Sequence, residues 1–253
     1  MIIKISLNLY LIMSKNEQKI IGPASPFKAF FIERVLQIRA FYLHIKNYMN
    51  SFDQKIQEKY DEEAMDLARN EGIEDILISD FKPFFMSLLF IQIHTTLEIY
   101  FNDILEFIFR NKIDILKNSN KQYSTEEILS FNDMDDLVKY LAIKEIKSFN
   151  DKNSIKKIEY LKKLLNKEHI LTELLISNFI EFCEIRHILV HNEGNINDRF
   201  RKLVNNPKYD NEISIVIDDG SLLEAIDFMI SFINAIDNEL CSKFRMNVFG
   251  FVK

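Results

Sequence analysis

An all-α fold is predicted by three features of the 253-residue chain. Only 5 glycines and 4 prolines interrupt it, too few for a chain built from many short strands and tight turns. Ile, Leu and Phe recur at three- and four-residue spacings over long runs, the period of a helix face rather than of a strand. A single stretch, ISIVI (213–217), reads as a strand. With 47% apolar residues the chain can bury a sizeable core, which excludes general disorder.

The elements follow in order. The opening MIIKISLNLYLIM is apolar but too short to cross a bilayer, and Met13, ahead of the polar run SKNEQK, is a candidate start. After the turn-like IGPASP, residues 27–50 form an amphipathic helix that continues toward Asn70 as an antiparallel or overhanging arm. Residues 81–110 are apolar nearly all round, as a central bundle helix should be, with Leu88, Ile91, Leu97, Phe101, Leu105 and Ile108 as core. Thr125 with Glu127 opens a helix to about Phe149, Asn153 or Ser154 starts a lysine-rich helix, and a polar break at 166–168 precedes the helix that holds RHILVH. Beyond ISIVI, Ser221 with Glu224 three residues later forms a capping box for a last helix through about Phe244. No repeat, low-complexity tract or Pro/Ser/Gly-rich linker divides the chain. Residues 80–246 are therefore expected to form one helical domain, with residues 1–79 as an N-terminal segment and helical arm.

The net charge of −6 does not suggest a protein coated for nucleic acid, but the charge is unevenly spread. Residues 58–75 hold eight acids against two bases, which accounts for the whole net charge. The segment 152–167 carries six lysines against one glutamate, and residues 186–208 carry Arg186, Arg199, Arg201, Lys202 and Lys208 against Glu193 and Asp198. Such runs are commonly solvated faces. Two of them near an Arg/His cluster point toward a phosphate-bearing ligand. Cys183 and Cys241 lie far apart among apolar neighbours and read as small buried residues of a reducing compartment, with no disulfide framework. The protein is expected to be cytoplasmic.

The stretch RHILVHNEG (186–194) concentrates the chemistry. It sets an arginine and two of the five histidines in an apolar helix, then ends that helix with Asn192 and Gly194. Projected at about 100° per residue, Glu184, His187 and His191 share one narrow polar stripe, whereas Arg186 falls among Phe179, Phe182 and Val190 and needs partners of its own. Three readings compete. One is a buried network in which Glu184 orients the histidines and Arg186 pairs with a carboxylate such as Glu98 or Asp103. A second is a metal site of Glu184, His187 and His191, completed by His44 or His94, although the second Glu-x-x-His of a di-iron bundle and the His-Glu-x-x-His of zinc proteases are absent.

The third reading is a resemblance. Arg186-His187-x-x-x-His191, closing a helix in an all-α chain and followed by Asn192-x-Gly194, resembles the Arg-x4-6-His signature of the HEPN superfamily, in which the residue after the arginine is commonly polar. The segments TTLEIYFNDILEFIFRN and LSFNDMDDLVKYLAIKEI, the motif helix and the closing strand-plus-helix are similar to the bacterial HEPN ribonuclease-like group over about residues 80–242. The resemblance implies an antiparallel helical bundle with one short strand or hairpin before the last helix. It further implies a homodimer whose motif helices face each other across a two-fold cleft, and a metal-independent endoribonuclease of toxin, abortive-infection or other defence systems. RNA and an antitoxin or other regulator would be its partners, and no cofactor, metal or membrane is implied.

In that chemistry an RNA 2′-OH attacks the adjacent phosphorus. His191 would serve as base or acid, because imidazole titrates near neutral pH. Arg186 would hold the non-bridging oxygens as charge builds on them. His187, Asn192 and Glu184 would support them. On charge clustering, Lys156, Lys157, Lys162, Lys163, Arg199 and Arg201 would track the RNA backbone. Some HEPN toxins carry, two residues after the histidine, a tyrosine that a partner nucleotidyltransferase modifies; Glu193 stands there in this chain, so that form of control is not expected. Other members of the superfamily are non-catalytic RNA-binding or protein-interaction modules, which is the alternative.

Overall fold

The computed structural model describes residues 25–52, 81–117 and 124–246, together with Asp66. The opening apolar segment with Met13, and all of the acidic run 58–75 but Asp66, lie outside the described residues. Those described are mainly helical. They form α1 (Pro26–Phe52), α2 (Phe81–Asn111), α3 (Asp114–Lys117), α4 (Thr125–Leu129), α5 (Met134–Asn150), α6 (Ser154–Leu165), α7 (Glu173–His191), α8 (Asp198–Val204) and α9 (Asp219–Phe244), with short 3-10 turns at Glu168–Ile170 and Pro207–Tyr209. No strand forms among them: ISIVI is extended but contributes one isolated antiparallel bridge, Ser214 to Asn195.

Local chemistry sets the helix boundaries. The helix expected over 125–149 is two helices, because Ser124 caps α4 by accepting from Glu127 N and Asp133 then caps α5 by accepting from Asp136 N. Asn153 caps α6 in the same way through Lys156 N, and Asn166 ends it in the left-handed region at φ 55°. Each such cap contributes about 1 kcal/mol. The expected Ser221/Glu224 box is replaced by an earlier cap. Asp218 accepts from Ser221 N at 2.7 Å, so α9 begins at Asp219 and Ser221 lies inside its first turn.

The described residues group into two compact units, with α1, α2, α7 and α9 each contributing to both. The first unit contains Thr95–Cys183 with the described residues up to Glu33 and from Met229 onward. Its core is a relay of aromatic edges. Phe31 meets Tyr100 at 5.8 Å, Tyr100 meets Phe101 at 5.4 Å, Phe101 meets Phe149 at 5.3 Å, and Phe149 meets Tyr160 at 5.3 Å, joining α1, α2, α5 and α6. Phe179 of α7 stacks on Phe232 of α9 at 4.6 Å. Phe31 and Ile32 are buried, so this end of α1 is core rather than an overhanging arm.

Under that core lies a buried polar cluster. Asp237 is fully buried and accepts from Ser25 N at 3.1 Å, from the Ser25 hydroxyl, from Tyr100 Oη at 3.1 Å and from Cys241 Sγ at 3.5 Å. Ser25 in turn caps α1, its Oγ accepting from Lys28 N, with Pro26 at the first helical position. Burial and the neighbouring carboxylate push the Cys241 thiol up to about 12, which makes it an inert thiol; Cys183 is partly exposed, and the two cysteines form no disulfide.

The second unit contains Glu184–Phe228 with the described residues from Arg34 to His94. Val35, Ile93, Ile188, Phe200, Leu222 and Ile226 form its core. Lys46 pairs with Asp219 at 2.8 Å, and Phe41 contacts Phe85 at 6.0 Å. Of the core expected along α2, Leu97, Phe101, Leu105 and Ile108 are buried, whereas Leu88 is exposed and Ile91 is half-buried. The window Pro83–Asn111 is long and apolar enough to cross a membrane, and half of it is buried inside the protein.

Candidate functional site

Helix α7 positions the motif. Thr172 starts it, its Oγ1 accepting from Leu175 N at 3.3 Å. At the other end the Ile188 carbonyl accepts from both Asn192 N and Gly194 N, each at 2.9 Å, while Glu193 and Gly194 turn the chain through positive φ at 52° and 79°. Gly194 is needed twice over. A side chain at that φ is strained, and a Cβ would sit 3.1 Å from the Ile215 carbonyl oxygen. The turn is then tied to the extended segment by Ile215 N to Gly194 O and Ile196 N to Ile213 O.

The polar stripe expected on α7 forms within the second unit. Glu184 is 3% exposed, and its Oε2 lies 3.4 Å from Nη2 of Arg199, whose side chain is 49% exposed. Arg199 Nη1 lies 3.3 Å from His187 Nε2. A guanidinium has donors only, so His187 Nε2 is the acceptor and the ring proton resides on Nδ1. Burial holds the His187 imidazole below its ordinary value, and the Arg199 charge lowers it further. His187 is therefore neutral at pH 7. Its ring is 4.9 Å from that of His191, the last residue of α7, which is exposed.

Arg186 belongs to the other side of the helix. It is half-buried, and its Nε is buried with no hydrogen-bond partner among the described residues. Five helical residues carry Arg186 and His191 about 140° apart around α7 and roughly 7.5 Å apart along it, so the two present different faces. Asn192, proposed as a supporting group, uses its side-chain amide to close the turn, donating to Asn195 O at 2.5 Å.

The two arginines expected on an RNA-tracking surface are engaged locally. Arg201 donates to the carbonyls of Tyr209, Asp210 at 3.2 Å and Glu212 at 2.6 Å, and so fastens the loop after α8. Arg199 bridges Glu184 and His187. Its clustering with other bases marked it as cationic, but no local period relates it to residues 12 and 15 positions earlier, so its pairing was invisible in the sequence. The lysines belong to the first unit, on α6. There Lys156 and Lys163 are exposed on one face, while Lys157 and Lys162 flank the buried stripe of Ile158, Leu161 and Leu165.

Among the described residues no group of three His, Cys, Asp or Glu side chains is arranged to hold a metal ion. The Glu184, His187 and His191 set has a guanidinium seated on two of its members, and of the residues suggested to complete it His94 is buried and His44 exposed. What the arrangement offers is a neutral, fixed imidazole beside an exposed one, and an arginine with a donor to spare. No family model, curated protein or solved structure matches the chain.

Proposed function

We propose that the protein is a metal-independent endoribonuclease of the toxin or defence kind, a cytoplasmic HEPN-like homodimer that cleaves single-stranded RNA. The 2′-oxygen attacks phosphorus as the bond to the 5′-oxygen breaks, leaving a 2′,3′-cyclic phosphate and a 5′-hydroxyl. His191 of one chain takes the 2′-OH proton, and His191 of the second returns a proton to the departing 5′-oxygen. Arg186 binds the non-bridging oxygens, and His187, held neutral, supports the His191 ring rather than supplying a proton. A small antitoxin or another regulator would restrain the activity.

One observation carries this reading: Arg186 keeps a buried Nε without a partner among the described residues, while His191 ends the same helix exposed. A core network would pair that donor, because leaving it unmet costs about 1–3 kcal/mol. A non-catalytic interaction module is favoured by a different observation, the engagement of Glu184 and His187 by Arg199, which gives those two groups a structural role.

The test is cleavage of a fluorescent single-stranded RNA in EDTA, with the product ends identified. The proposal expects activity that survives chelation, cyclic-phosphate ends, and no cut where the scissile nucleotide is 2′-deoxy. Activity lost to EDTA and restored by zinc or manganese, with the deoxy substrate still cut, would assign a metal-activated hydroxide instead. Light scattering at micromolar concentration should give about twice the chain mass.

A further inference from the structure

A cavity of about 600 Å³ lies where α5 ends and α6 begins. Four lysines line it, Lys144, Lys147, Lys152 and Lys156, against a single carboxylate, Asp151. Like charges gathered in a concavity repel one another and focus a positive potential toward its mouth. We propose that this cavity is a binding site for a chain of phosphate groups, distinct from the Arg186/His191 motif, and it does not depend on that motif being catalytic.

Two of the lysines are held in place. Lys144 pairs with Glu127 at 2.5 Å, which holds its ammonium charged, and Lys152 donates to Ser148 O at 2.7 Å and Ser148 Oγ at 3.1 Å with its ammonium 5.3 Å from the Tyr160 ring centre. Lys147 and Lys156 are exposed. Lys147 has a local explanation, because a cation in the last turn of α5 complements the helix dipole. Lys156 has none. Helices α4 and α5 carry Glu126 with Glu127 and Asp135 with Asp136 in their first turns, as the positive end of a helix favours, whereas α6 has no acid there and places Lys156 and Lys157 instead. Helices α1 and α2 also lack a first-turn acid, so what distinguishes this end of α6 is the three further lysines that share its cavity, an excess of positive charge that an external anion would balance.

The lining also indicates what is recognised. Its polar groups beyond the lysines are Ser148, Asn153 and Asp151, and it contains no aromatic ring on which a base would stack. Lysine ammoniums act on phosphate as point charges without fixed geometry. The site therefore reads charge and phosphate spacing, not base identity, and two sources meet that description: the backbone of an RNA strand and a free polyphosphate.

The test compares Lys147→Glu/Lys156→Glu with a charge-matched control, Lys112→Glu/Lys139→Glu, whose exposed lysines lie outside the cavity. Calorimetric titration uses two probes, sodium tripolyphosphate and a ten-nucleotide oligouridylate, at several salt concentrations. Wild type should bind at least one probe, and the cavity variant should bind it at least tenfold more weakly with a shallower salt dependence, while the control changes less than threefold. Loss for oligouridylate alone assigns an RNA strand, and loss for tripolyphosphate assigns a free polyphosphate. Circular dichroism melting checks the fold; if the double glutamate variant is unfolded, Lys147→Gln/Lys156→Gln replaces it. Wild type binding neither probe, or control and cavity variants losing affinity equally, would overturn the site. RNA cleavage is not read, so a failed ribonuclease assay leaves this result independent.

Discussion

Among the described residues each unit buries one carboxylate, and the two are treated differently. Asp237 accepts from neutral donors at the start of α1, on α2 and on α9, with the buried Lys28 close enough that the Asp237 charge offsets part of the burial that lowers its ammonium. Glu184 is almost as deeply buried but pairs with a half-exposed arginine at 3.4 Å, with two imidazoles along the same face. A carboxylate satisfied by fixed, fully buried groups stabilises the fold and offers nothing to a ligand. One balanced by a solvent-facing cation leaves that cation able to exchange partners. The comparison separates a structural polar cluster from a candidate site without reference to conservation.

Breaking the first cluster should have the largest effect. Asp237→Ala strips several buried donors of their acceptor at once and should cost about 3–5 kcal/mol in chemical denaturation, with Asp237→Asn costing less. Arg199→Ala should cost about 1–2 kcal/mol, discounted because the guanidinium is half in water. Glu184→Gln in the same background should recover part of that loss, and a double-mutant cycle that shows no coupling would dissolve the pairing. Gly194→Ala should cost about 1 kcal/mol from its positive φ and the crowding at Ile215.

The smallest effect is a pH slope. The folded value of His187 lies below its ordinary value of 6.5, so on acidification the unfolded chain takes up the proton first. The stability His187 contributes is complete above pH 6.5 and is lost as pH falls through the depressed folded value. His187→Gln should flatten the stability profile between pH 7 and 5. An unchanged slope would mean that burial and the Arg199 charge together do not hold the ring neutral.

Much of this was legible in the sequence where the signals are local. Apolar runs of helical period located α1, α2, α7 and α9, and Asn153 announced α6, because caps and periodicity act within a turn or two. Where two caps competed, the sequence was ambiguous: Asp218 and Ser221 both suit the start of α9, and the chain uses the earlier one. ISIVI carries strand composition but has only the turn at 194–196 to pair with. The stripe of Glu184, His187 and His191 was readable from helical geometry alone. Arg199 was not, because its role depends on the turn at Asn192 to Gly194 bringing α8 back toward α7, and no spacing rule encodes that return.

The central claim is that Arg186 and His191 belong to a reaction site and not to a core network. Its most direct measurement is RNA cleavage and thermal melting on the same preparations of wild type, Arg186→Ala and His191→Ala. The account predicts that wild type cleaves, that each variant loses at least about 100-fold in rate, and that both melt within a few degrees of wild type. Wild type without activity on any single-stranded RNA, or variants that both melt far below wild type, would contradict it and return the motif to the core.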